Sequence, residues 1–523
     1  MQKLPIGIQH FEDIRTENYL YIDKTKHILN LIENGKCYFL SRPRRFGKSL
    51  TISTLEAMFQ GKSDLFKGLY AEEWVKEQSK HPSGVIKLDM SLLGFYENKK
   101  DLNRSIINYL VRYYIKEYKL DIVVQDNPGD VFLDVINELY KQFGHVVLLI
   151  DEYDKPITDN INNLEKANEM RETLRSFYGV LKGCSQVKFI MITGVSKFSK
   201  TGVFSCLNNL KDISMLKEYG DIVGYTQKEL EENFNNWLGK IEKELSMNRK
   251  ELIAKIKKYY DGFSFDGIVR VYNPFSVLNF FADSNFDNYW YNSATPSFLA
   301  KYLKKYGINN PNAYINKEVS VDFTNSREIE TASVESFLYQ AGYLTIKKRE
   351  GKLITLDYPN EEVKSSMAGL YLEYMYNIES YASIGNRIWK ALKIGNIENV
   401  VNLFNQALKP IPYDDFSENT EKNGELRGEY WYRSLFVMLL TATGLISYPE
   451  VHISDGRPDV VIPFEDKIVI IEFKFAKTSR GVSSQRKKGM EQVKQYALAY
   501  EGTGKQIITS VFIADDAKKQ IKI

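Results

Sequence analysis

The sequence predicts a multidomain α/β protein, in which a parallel sheet with flanking helices is followed by a helical middle region and a smaller αβββαβ module. Three observations predict this fold class. The chain has 523 residues, more than one hydrophobic core usually serves. Short apolar strands alternate with helical segments in its first part, and strands gather again near its end. We therefore expect domains at residues 1–280, 281–415 and 416–523.

The composition is that of a globular chain. Hydrophobic residues make up 43% and charged residues 26%, which excludes a mainly disordered protein. The net charge of +3 does not by itself indicate a polyanionic partner, so a basic surface has to be inferred from local clusters of Lys and Arg. The cysteines Cys37, Cys184 and Cys206 form no C-x-x-C pair, which excludes a zinc knuckle and a disulfide framework.

The sequence also predicts where the protein works. The N-terminal segment MQKLPIGIQHFEDIRTEN lacks the apolar stretch of a secretory signal, and runs such as FVMLLTATGLI are too short to span a bilayer. We therefore expect a cytoplasmic protein with no membrane partner. A homo-oligomer, in which a neighbouring copy supplies an arginine, stays open.

The first predicted sheet begins at residues 37–41 (CYFLS), an apolar run that ends at the loop RPRRFG. LTISTLEAMF follows with helical spacing, and further strands are predicted at 83–91, 145–151 and 186–194. Segments long enough for helices separate these strands, which is typical of a parallel sheet covered by helices.

The rest of the chain shows two other patterns. From about residue 225 to 415 the sequence is helical and charged, without an internal repeat or recognisable chemistry. From about residue 425, a helix is followed by strands at LISYPEV, RPDVVIP and KIVIIEFKF, by the helix QRKKGMEQVKQYALAY and by the strand QIITSVFIA. This αβββαβ order has the size of a compact module of about 100 residues.

The loop between the first strand and helix contains the second half of the phosphate-binding motif G-x-x-x-x-G-K-[ST]. Gly47 lets backbone amides approach phosphate oxygens, Lys48 neutralises them, and the Ser49 hydroxyl binds Mg²⁺. Arg42 stands where the motif has its first glycine. The loop's three arginines predict firm phosphate binding with slow turnover.

Two acids end the apolar strand VVLLIDE. In such sites the first acid, here Asp151, holds Mg²⁺, and the second, here Glu152, polarises the attacking water. The alternative is a pair of acids that caps a following helix. Together with the phosphate loop, the acids favour a site for ATP and Mg²⁺.

Further residues are candidates for the same site. Thr193 ends the next strand, where it either senses the γ-phosphate or forms a turn. Arg171 and Arg175 are either phosphate-binding cations or solvated surface arginines. The complete set expected to bind the nucleotide is Arg44, Arg45, Phe46, Gly47, Lys48, Ser49, Leu50, Asp151 and Thr193.

At this point the chain resembles a known family. LPIGIQHFEDIR, YIDKT, SRPRRFGKSLTISTL, LLIDEYDKPI and FSCLNNLKDIS resemble, in this order, the AAA-ATPase-like domain found at the N-terminus of many bacterial proteins. The resemblance covers roughly the first 280 residues. It implies nucleotide-site roles for Lys48, Ser49, Asp151 and Glu152, and it makes Arg42 a family feature.

The C-terminal module carries a second set of charged residues. Asp459 opens one strand, and Glu472 and Lys474 share one face of the next because they are two residues apart. Two carboxylates and a lysine suit metal-assisted phosphodiester hydrolysis, in which the acids hold Mg²⁺ and the lysine orients water. The alternative is a cross-strand salt bridge, which contributes about 1 kcal/mol or less when it is exposed.

This segment resembles the PD-(D/E)XK nuclease superfamily over residues 416–515. The resemblance implies catalytic roles for Asp459, Glu472, Lys474 and Gln492. It implies metal ligation by Asp459, Glu472 and Glu429, with Glu425 as a competitor for the last place and Glu450 near the site. A binding-only member of the superfamily is the alternative.

A basic segment follows the E-x-K strand. Its cations, which can contact several phosphates of DNA or RNA, are Lys477, Arg480, Arg486, Lys487 and Lys488. The alternative is a solvated loop. As a whole, the chain is predicted to bind ATP, to hydrolyse it slowly, and to use its nucleotide state to control a Mg²⁺-dependent nuclease. The rival is a nucleotide-regulated binding module, and a translocase is disfavoured because no helicase motif is present.

Overall fold

The computed structural model describes residues 2–161, 163–197, 200–204, 207, 209–292, 299, 303, 311–324, 333–411, 427–444, 448–449 and 458–523. The chain forms two compact units. The first contains Met1–Trp290 and Tyr314–Asn360, and the second contains Tyr291–Ala313 and Glu361–Ile523.

The first unit is built on a five-stranded sheet whose strands are β1 (Cys37–Ser41), β2 (Gly84–Asp89), β3 (Val146–Asp151), β4 (Val187–Gly194) and β5 (Lys211–Asp212). Their order is β2-β3-β4-β1-β5, and every pair is parallel. The four strands expected from the apolar runs are confirmed. Because β4 lies between β1 and β3, the phosphate loop after β1 and the acids after β3 flank the end of β4.

In the N-terminal part of the first unit, the helices are α1 (Phe11–Thr16), α2 (Thr25–Asn34), α3 (Lys48–Phe59), α4 (Glu72–Gln78), α5 (Lys99–Leu110), α6 (Pro128–Phe143), α7 (Lys155–Thr158), α8 (Leu164–Tyr178), α9 (Lys200–Val203), α10 (Gln227–Asn233), α11 (Asn235–Glu244), α12 (Arg249–Tyr260), α13 (Pro274–Asp283) and α14 (Tyr289–Asn292), the last crossing the junction between the units. Helices α3, α5, α6 and α8 pack on the sheet, whereas α10–α13 form a separate apolar cluster with Leu20 and Ile22.

The middle of the chain contains strands that the sequence did not predict. The first unit contains an antiparallel sheet of three strands, β6 (Lys317–Ser320), β7 (Thr345–Glu350) and β8 (Leu353–Asp357), in the order β6-β8-β7. Helix α15 (Val334–Ala341) lies between β6 and β7 in the chain. The later helices α16 (Glu361–Tyr374), α17 (Tyr381–Lys393) and α18 (Ile397–Leu408) belong to the second unit. The boundaries near 280 and 415 stay predictions about parts that fold independently.

The second unit confirms the predicted αβββαβ order and adds one strand. It contains α19 (Arg427–Ala442), β9 (Tyr448–Pro449), β10 (Val460–Pro463), β11 (Lys467–Ala476), α20 (Val482–Leu498), β12 (Gln506–Asp515) and β13 (Gln520–Lys522). The sheet order is β13-β12-β11-β10-β9, with β11 and β12 parallel and the other pairs antiparallel. Phe436 of α19 packs on Phe473 and Phe512, on one face of the sheet. Helix α20 covers the other face.

Candidate nucleotide and nuclease sites

The phosphate loop is held in an unusual backbone conformation. Arg45 and Gly47 both adopt left-handed φ values, +67° and +99°. Nothing lies within 4 Å of the position that a Gly47 Cβ would occupy, so backbone conformation rather than crowding favours glycine there. Gly47 is the N-cap of α3, whose free N–H groups are suited to anions.

Lys48 lies over this loop with its charge turned inwards. Its side chain is buried, and Nζ donates to the carbonyl oxygens of Arg42 and Pro43 at 2.9 Å each. Burial lowers the pKa of Lys48, and the charges of Asp151 and Glu152 oppose that shift. The ammonium group is therefore bonded to neutral acceptors that a phosphate oxygen can replace.

Asp151 at the end of β3 is hydrogen-bonded to Thr193 at the end of β4. Thr193 Oγ1 donates to Asp151 Oδ1 at 2.5 Å, and the Glu152 amide donates to the same oxygen at 3.0 Å. Glu152 has a left-handed φ of +49°, which is rare for a residue with a side chain and concentrates at functional sites. Burial raises the pKa of Glu152, and Lys48 opposes the rise.

Arg42 corrects one expectation from the sequence, because it adds no charge to the phosphate-binding surface. Its guanidinium is 1% exposed and donates to the carbonyl oxygens of Ser41, Ser214 and Tyr219. The same group lies 4.0 Å from the ring centre of Phe265. Burial lowers the pKa of Arg42 to about 10. The residue in place of the motif's glycine thus anchors the loop to the interior, and only Arg44 and Arg45 are exposed.

The other candidates around the loop differ in orientation. The Phe46 ring is buried against Phe263 and Phe265, so its side chain serves the core. The Arg45 guanidinium lies 4.9 Å from the ring centre of Phe275. Arg171 and Arg175 both pair with Glu172 on their own helix, at 3.6 and 3.4 Å.

A small cavity of about 70 Å³ opens beside the loop. This volume is far below the ~300–1,000 Å³ range of small-molecule sites, so the cavity does not by itself accommodate a nucleotide base and sugar. Its walls are mostly apolar and include Gly47 and Leu50 of the loop region, Tyr21 and Ile22 of the YIDKT segment, and Val223. In the sequence, only the family resemblance of the YIDKT segment pointed to Tyr21 and Ile22. No sequence pattern pointed to Val223.

In the second unit, the two predicted carboxylates lie side by side. Val460 pairs with Ile471 in the antiparallel register, which places Asp459 opposite Glu472. The Phe473 amide donates to Asp459 Oδ2 at 2.7 Å, and the Asp459 amide donates to Glu472 Oε2 at 3.4 Å. Both acids are buried. Burial raises the pKa of Glu472 to about 7, and the neighbouring Asp459 charge adds to the rise.

Lys474 connects these acids to the opening helix. Its Nζ donates to Glu472 Oε1 at 2.8 Å, to Glu429 Oε1 at 3.3 Å and to the Phe473 carbonyl at 2.9 Å. Burial lowers the pKa of Lys474, but the acids outweigh it and the net shift is upward. Burial also raises the pKa of Glu429. The structure therefore brings together Glu429, Asp459, Glu472 and Lys474.

The sequence analysis missed a second cation in this group. Arg433 Nη1 donates to Asp459 Oδ1 at 2.5 Å. Arg433 and Glu429 are four residues apart on α19 and therefore lie on the same side of the helix. That spacing was the available signal, but it could not show which strand the helix faces.

The oxygen ligands in this group suit Mg²⁺, which is commonly held by one or two carboxylates together with substrate phosphates and water. Within the described ranges, no three Asp, Glu, His or Cys side chains are gathered as a ready metal site. Asp459 and Glu472 therefore suit a magnesium ion that is held by two carboxylates and takes its other ligands from water and substrate phosphates. Glu425 and Glu450 lie outside the described residues.

Helix α20 approaches the site at Gly489. A Cβ there would lie 2.5 Å from Val511 Cγ1 and 3.3 Å from Lys474 Cγ, so the helix backbone comes directly against the site face of the sheet. Gln492, one turn later, is half-buried. Its predicted catalytic role stays a prediction.

The basic segment is partly helical rather than a loop. Ser479–Gly481 form a 3₁₀ turn, and α20 begins at Val482. Its cations are exposed, and within the described part of the chain none makes an ion pair; they are Lys477, Arg480, Arg486, Lys487 and Lys488. The side chains are thus available to an external anion.

Two separate parts of the chain match known families. Residues 5–204 match the family described as "Predicted AAA-ATPase", and residues 427–522 match the PD-(D/E)XK nuclease superfamily. An uncharacterized protein in the vnfD 5' region of Azotobacter chroococcum mcd 1 is 35% identical over 517 residues, 97% of this chain and 95% of the relative.

Two solved structures also align. The Aeropyrum pernix ORC1 protein in complex with DNA has 9% identity and a TM-score of 0.26, over 67% of this chain and 93% of that one. The Aeropyrum pernix ORC2 protein has 10% identity and a TM-score of 0.25, over 68% and 97%. Among the residues that the structure describes, none of the helices has the length and apolar character needed to cross a bilayer.

Proposed function

The chain belongs to the AAA-ATPase-like family and carries a C-terminal domain of the PD-(D/E)XK nuclease superfamily, and from this we propose that it binds ATP and uses its nucleotide state to control Mg²⁺-dependent cleavage of DNA or RNA. The observation that carries the nuclease assignment is the network of Asp459, Glu472, Lys474 and Glu429. A salt bridge alone would need one acid, whereas Lys474 is bonded to both Glu429 and Glu472, and Glu472 lies beside the buried Asp459.

The nucleotide part rests on the first unit. The β- and γ-phosphates would replace the carbonyl oxygens that now accept from Lys48. Ser49 and Asp151 would hold Mg²⁺. Glu152, which is half-buried near Lys48, would take a proton from the attacking water. The exposed Arg44 and Arg45 would add positive charge at the mouth of the site.

The nuclease part rests on the second unit. Asp459 and Glu472 would hold Mg²⁺, which when bound makes water more acidic and stabilises charge on the phosphate. Lys474 is held in position by three hydrogen bonds, which use all three of its donors, so a water or a phosphate oxygen would replace one of these acceptors without requiring a new side-chain rotamer. The exposed cations of the basic segment would bind the phosphate backbone at a position set by α20.

Nucleotide control is supported by a contact of the phosphate loop. Trp290 is 1% exposed, and its Nε1 donates to the Arg44 carbonyl at 3.2 Å. A Cβ on Gly342 would lie 2.7 Å from Pro43 Cβ and 3.1 Å from the Trp290 ring, so the loop is tightly enclosed. The chain enters the second unit at the next residue, Tyr291. A loop that rearranges around phosphate would therefore disturb the residue at the junction.

The test is cleavage of DNA and RNA with and without Mg²⁺ by the wild type, by Lys474→Ala and by a control, Lys518→Ala, an exposed lysine of the same module. We expect Lys474→Ala to lose about 100-fold or more of the activity, as for removal of one group that stabilises developing charge. Lys518→Ala should cleave like the wild type. Equal cleavage by all three proteins contradicts the nuclease assignment.

A second candidate function is favoured by the ion pairs themselves. Asp459 is bonded to Arg433 and Glu472 to Lys474, so the fold satisfies its carboxylates without a metal. On this view the module grips nucleic acid without cutting it. Salt-dependent binding that survives Glu472→Gln, together with no products at any Mg²⁺ concentration, would establish this alternative.

Control by nucleotide has its own test. Cleavage should change between ATP, ADP and no nucleotide in the wild type, and the change should shrink in Trp290→Phe, which lacks the donor to Arg44. Trp389→Phe, in the second unit, is the matched control. A nucleotide response that is unaltered in Trp290→Phe contradicts this route of control.

A further inference from the structure

Arg433 is the one cation of the second site to which neither sequence pattern nor superfamily resemblance gives a role. Its side chain is 15% exposed, and that of its partner Asp459 is 8% exposed. The pair is therefore largely withdrawn from water, where screening is weak and the loss of one partner is costly. A surface ion pair would not hold Asp459 in this way.

The Asp459 carboxylate is fully engaged by this arrangement. Oδ2 accepts from the Phe473 amide at 2.7 Å, and Oδ1 accepts from Arg433 at 2.5 Å. The hydrogen bond from the Phe473 amide is donated by the backbone of β11, in the interior of the sheet, and persists while β10 and β11 stay paired. The bond from Arg433 is made by a side chain, so it is the one that can be exchanged.

Charge in the site points the same way. Three carboxylates, those of Glu429, Asp459 and Glu472, face the two cations Lys474 and Arg433. Lys474 is already shared between Glu429 and Glu472. Arg433 is therefore the principal neutralising charge for Asp459, and a divalent cation at Asp459 would compete with it for the same oxygen.

A guanidinium displaced from Asp459 can move along the neighbouring Tyr430 ring. The Arg433 guanidinium lies 5.1 Å from the ring centre of Tyr430, and Tyr430 is 43% exposed. A short rotation along this aromatic face carries the cation towards solvent. There its planar fork matches two oxygens of a phosphodiester.

We propose that Arg433 is a positioning residue that neutralises Asp459 until a divalent cation takes that carboxylate, and that then turns to bind the substrate phosphate. The inference rests on the proposed metal-dependent nuclease function. Its consequence is an order of events: the metal binds first, and its arrival strengthens the grip on nucleic acid. Metal and nucleic acid would then be coupled, each favouring the other.

The experiment measures Mn²⁺ binding to the full chain without nucleotide, from the electron paramagnetic resonance signal of the free ion. Asp459→Asn identifies which bound ion belongs to this site. Arg433→Gln, which is neutral and keeps much of the side-chain volume, should bind Mn²⁺ about tenfold more tightly because the competitor is gone. Arg433→Lys keeps a positive charge and should lie between Arg433→Gln and the wild type. Arg387→Gln, at an exposed arginine of the second unit outside both sites, should match the wild type.

A second measurement uses a fluorescent oligonucleotide and Ca²⁺, whose binding can be followed without relying on cleavage. Ca²⁺ should raise the oligonucleotide affinity of the wild type several-fold and that of Arg433→Gln by much less. A merely structural role for Arg433 would instead weaken both Mn²⁺ and oligonucleotide binding, and circular dichroism identifies a misfolded variant. For such a variant, Arg433→Lys decides: metal affinity equal to or below that of the wild type overturns the inference.

The outcomes separate the two claims. If the wild type binds an Asp459-dependent ion and Arg433→Gln binds it no more tightly, the inference about Arg433 is wrong and the proposed function stands. If the wild type shows no Asp459-dependent ion, the proposed nuclease function is wrong and the inference falls with it.

Discussion

The two candidate phosphate-chemistry sites satisfy their charges in different ways. In the first unit, Lys48 is bonded to two neutral carbonyl oxygens, and Asp151 accepts from the hydroxyl of Thr193. In the second unit, Asp459 and Glu472 are bonded to the charged side chains of Arg433 and Lys474. An anion can therefore enter the first site without breaking an ion pair, whereas a cation must compete for the second.

This difference suggests a division of labour. In the first site, the lysine is bonded only to backbone carbonyls. A nucleotide can therefore bind and shift the conformation of the loop without first breaking an ion pair. A site whose acids are neutralised internally stays silent until a divalent ion, and then a substrate, shift the balance.

Glu152→Gln should slow ATP hydrolysis by about 100- to 10,000-fold, because the side chain can no longer take a proton, while ATP affinity changes little. Steady-state phosphate release and calorimetric ATP binding measure the two effects. Glu172→Gln, on the exposed surface of α8, is the control. Unchanged hydrolysis in Glu152→Gln would assign the acid to structure alone.

Lys48→Ala should weaken ATP binding about 100-fold, the effect of losing a charge-assisted bond of ~3 kcal/mol. Because the second site does not use this lysine, Asp459-dependent Mn²⁺ binding should be unchanged. Calorimetry measures the ATP affinity, with Lys80→Ala as an exposed control. ATP affinity equal to that of the wild type would refute the phosphate-loop assignment.

Gly489→Ala should destabilise the second unit by about 1–3 kcal/mol, as overpacking does, because its Cβ would meet Val511 at 2.5 Å. The gain in helix propensity, about 0.5–1 kcal/mol, only partly offsets this cost. Urea unfolding followed by circular dichroism measures the effect. Gly502→Ala, with nothing within 4 Å of its Cβ position, should be close to neutral. Equal stability of both variants would show that α20 can move away from the sheet without cost.

Glu472 should make the stability of the second unit depend on pH. Its pKa of about 7 in the folded chain exceeds the ordinary value of 4.5, so the folded state binds more protons between these values. Its contribution to the free energy of unfolding therefore falls as pH rises from about 4.5 to 7.

Glu472→Gln removes this dependence, so without metal it should gain about 2 kcal/mol in unfolding free energy relative to the wild type between pH 5 and pH 8. Urea unfolding in a chelating buffer measures the difference. Glu465→Gln, on an exposed turn of the same module, should show no such trend. A difference that does not change with pH would mean that Glu472 is fully compensated by Lys474.

Much of the fold was predictable because its signals are local. Strands β1 to β4 of the first sheet are apolar runs of five to eight residues, and Glu472 and Lys474 are two residues apart on one strand; the two-residue, charged β5 had no such signal. The strands at 345–357 escaped prediction because β7, TIKKRE, is largely charged and exposed, with only Thr345 and Ile346 buried. Its pairing to β8 depends on neighbours that the local pattern does not contain.

The site residues show the same limit. The sequence alone does not determine the roles of Arg42 and Arg433. The role of each follows from a hydrogen-bond partner on another element of the chain. Arg42 bonds to the carbonyl of Ser214, 172 residues away, and Arg433 bonds to Asp459 on a different element. Gly489 likewise has meaning only because Val511 lies beneath it. Such roles follow from packing between elements, which spacing along one element cannot reveal.

The buried Arg42 also bears on how this loop can evolve. Replacing it by glycine would bring the sequence closer to the common phosphate-loop motif, yet it would leave the carbonyls of Ser214 and Tyr219 without their donor. A lineage that repaired the motif would have to rebuild the 211–219 segment at the same time. Arginine at this position and the shape of that segment should therefore be inherited together, so a motif search that insists on the first glycine will pass over every protein built in this way.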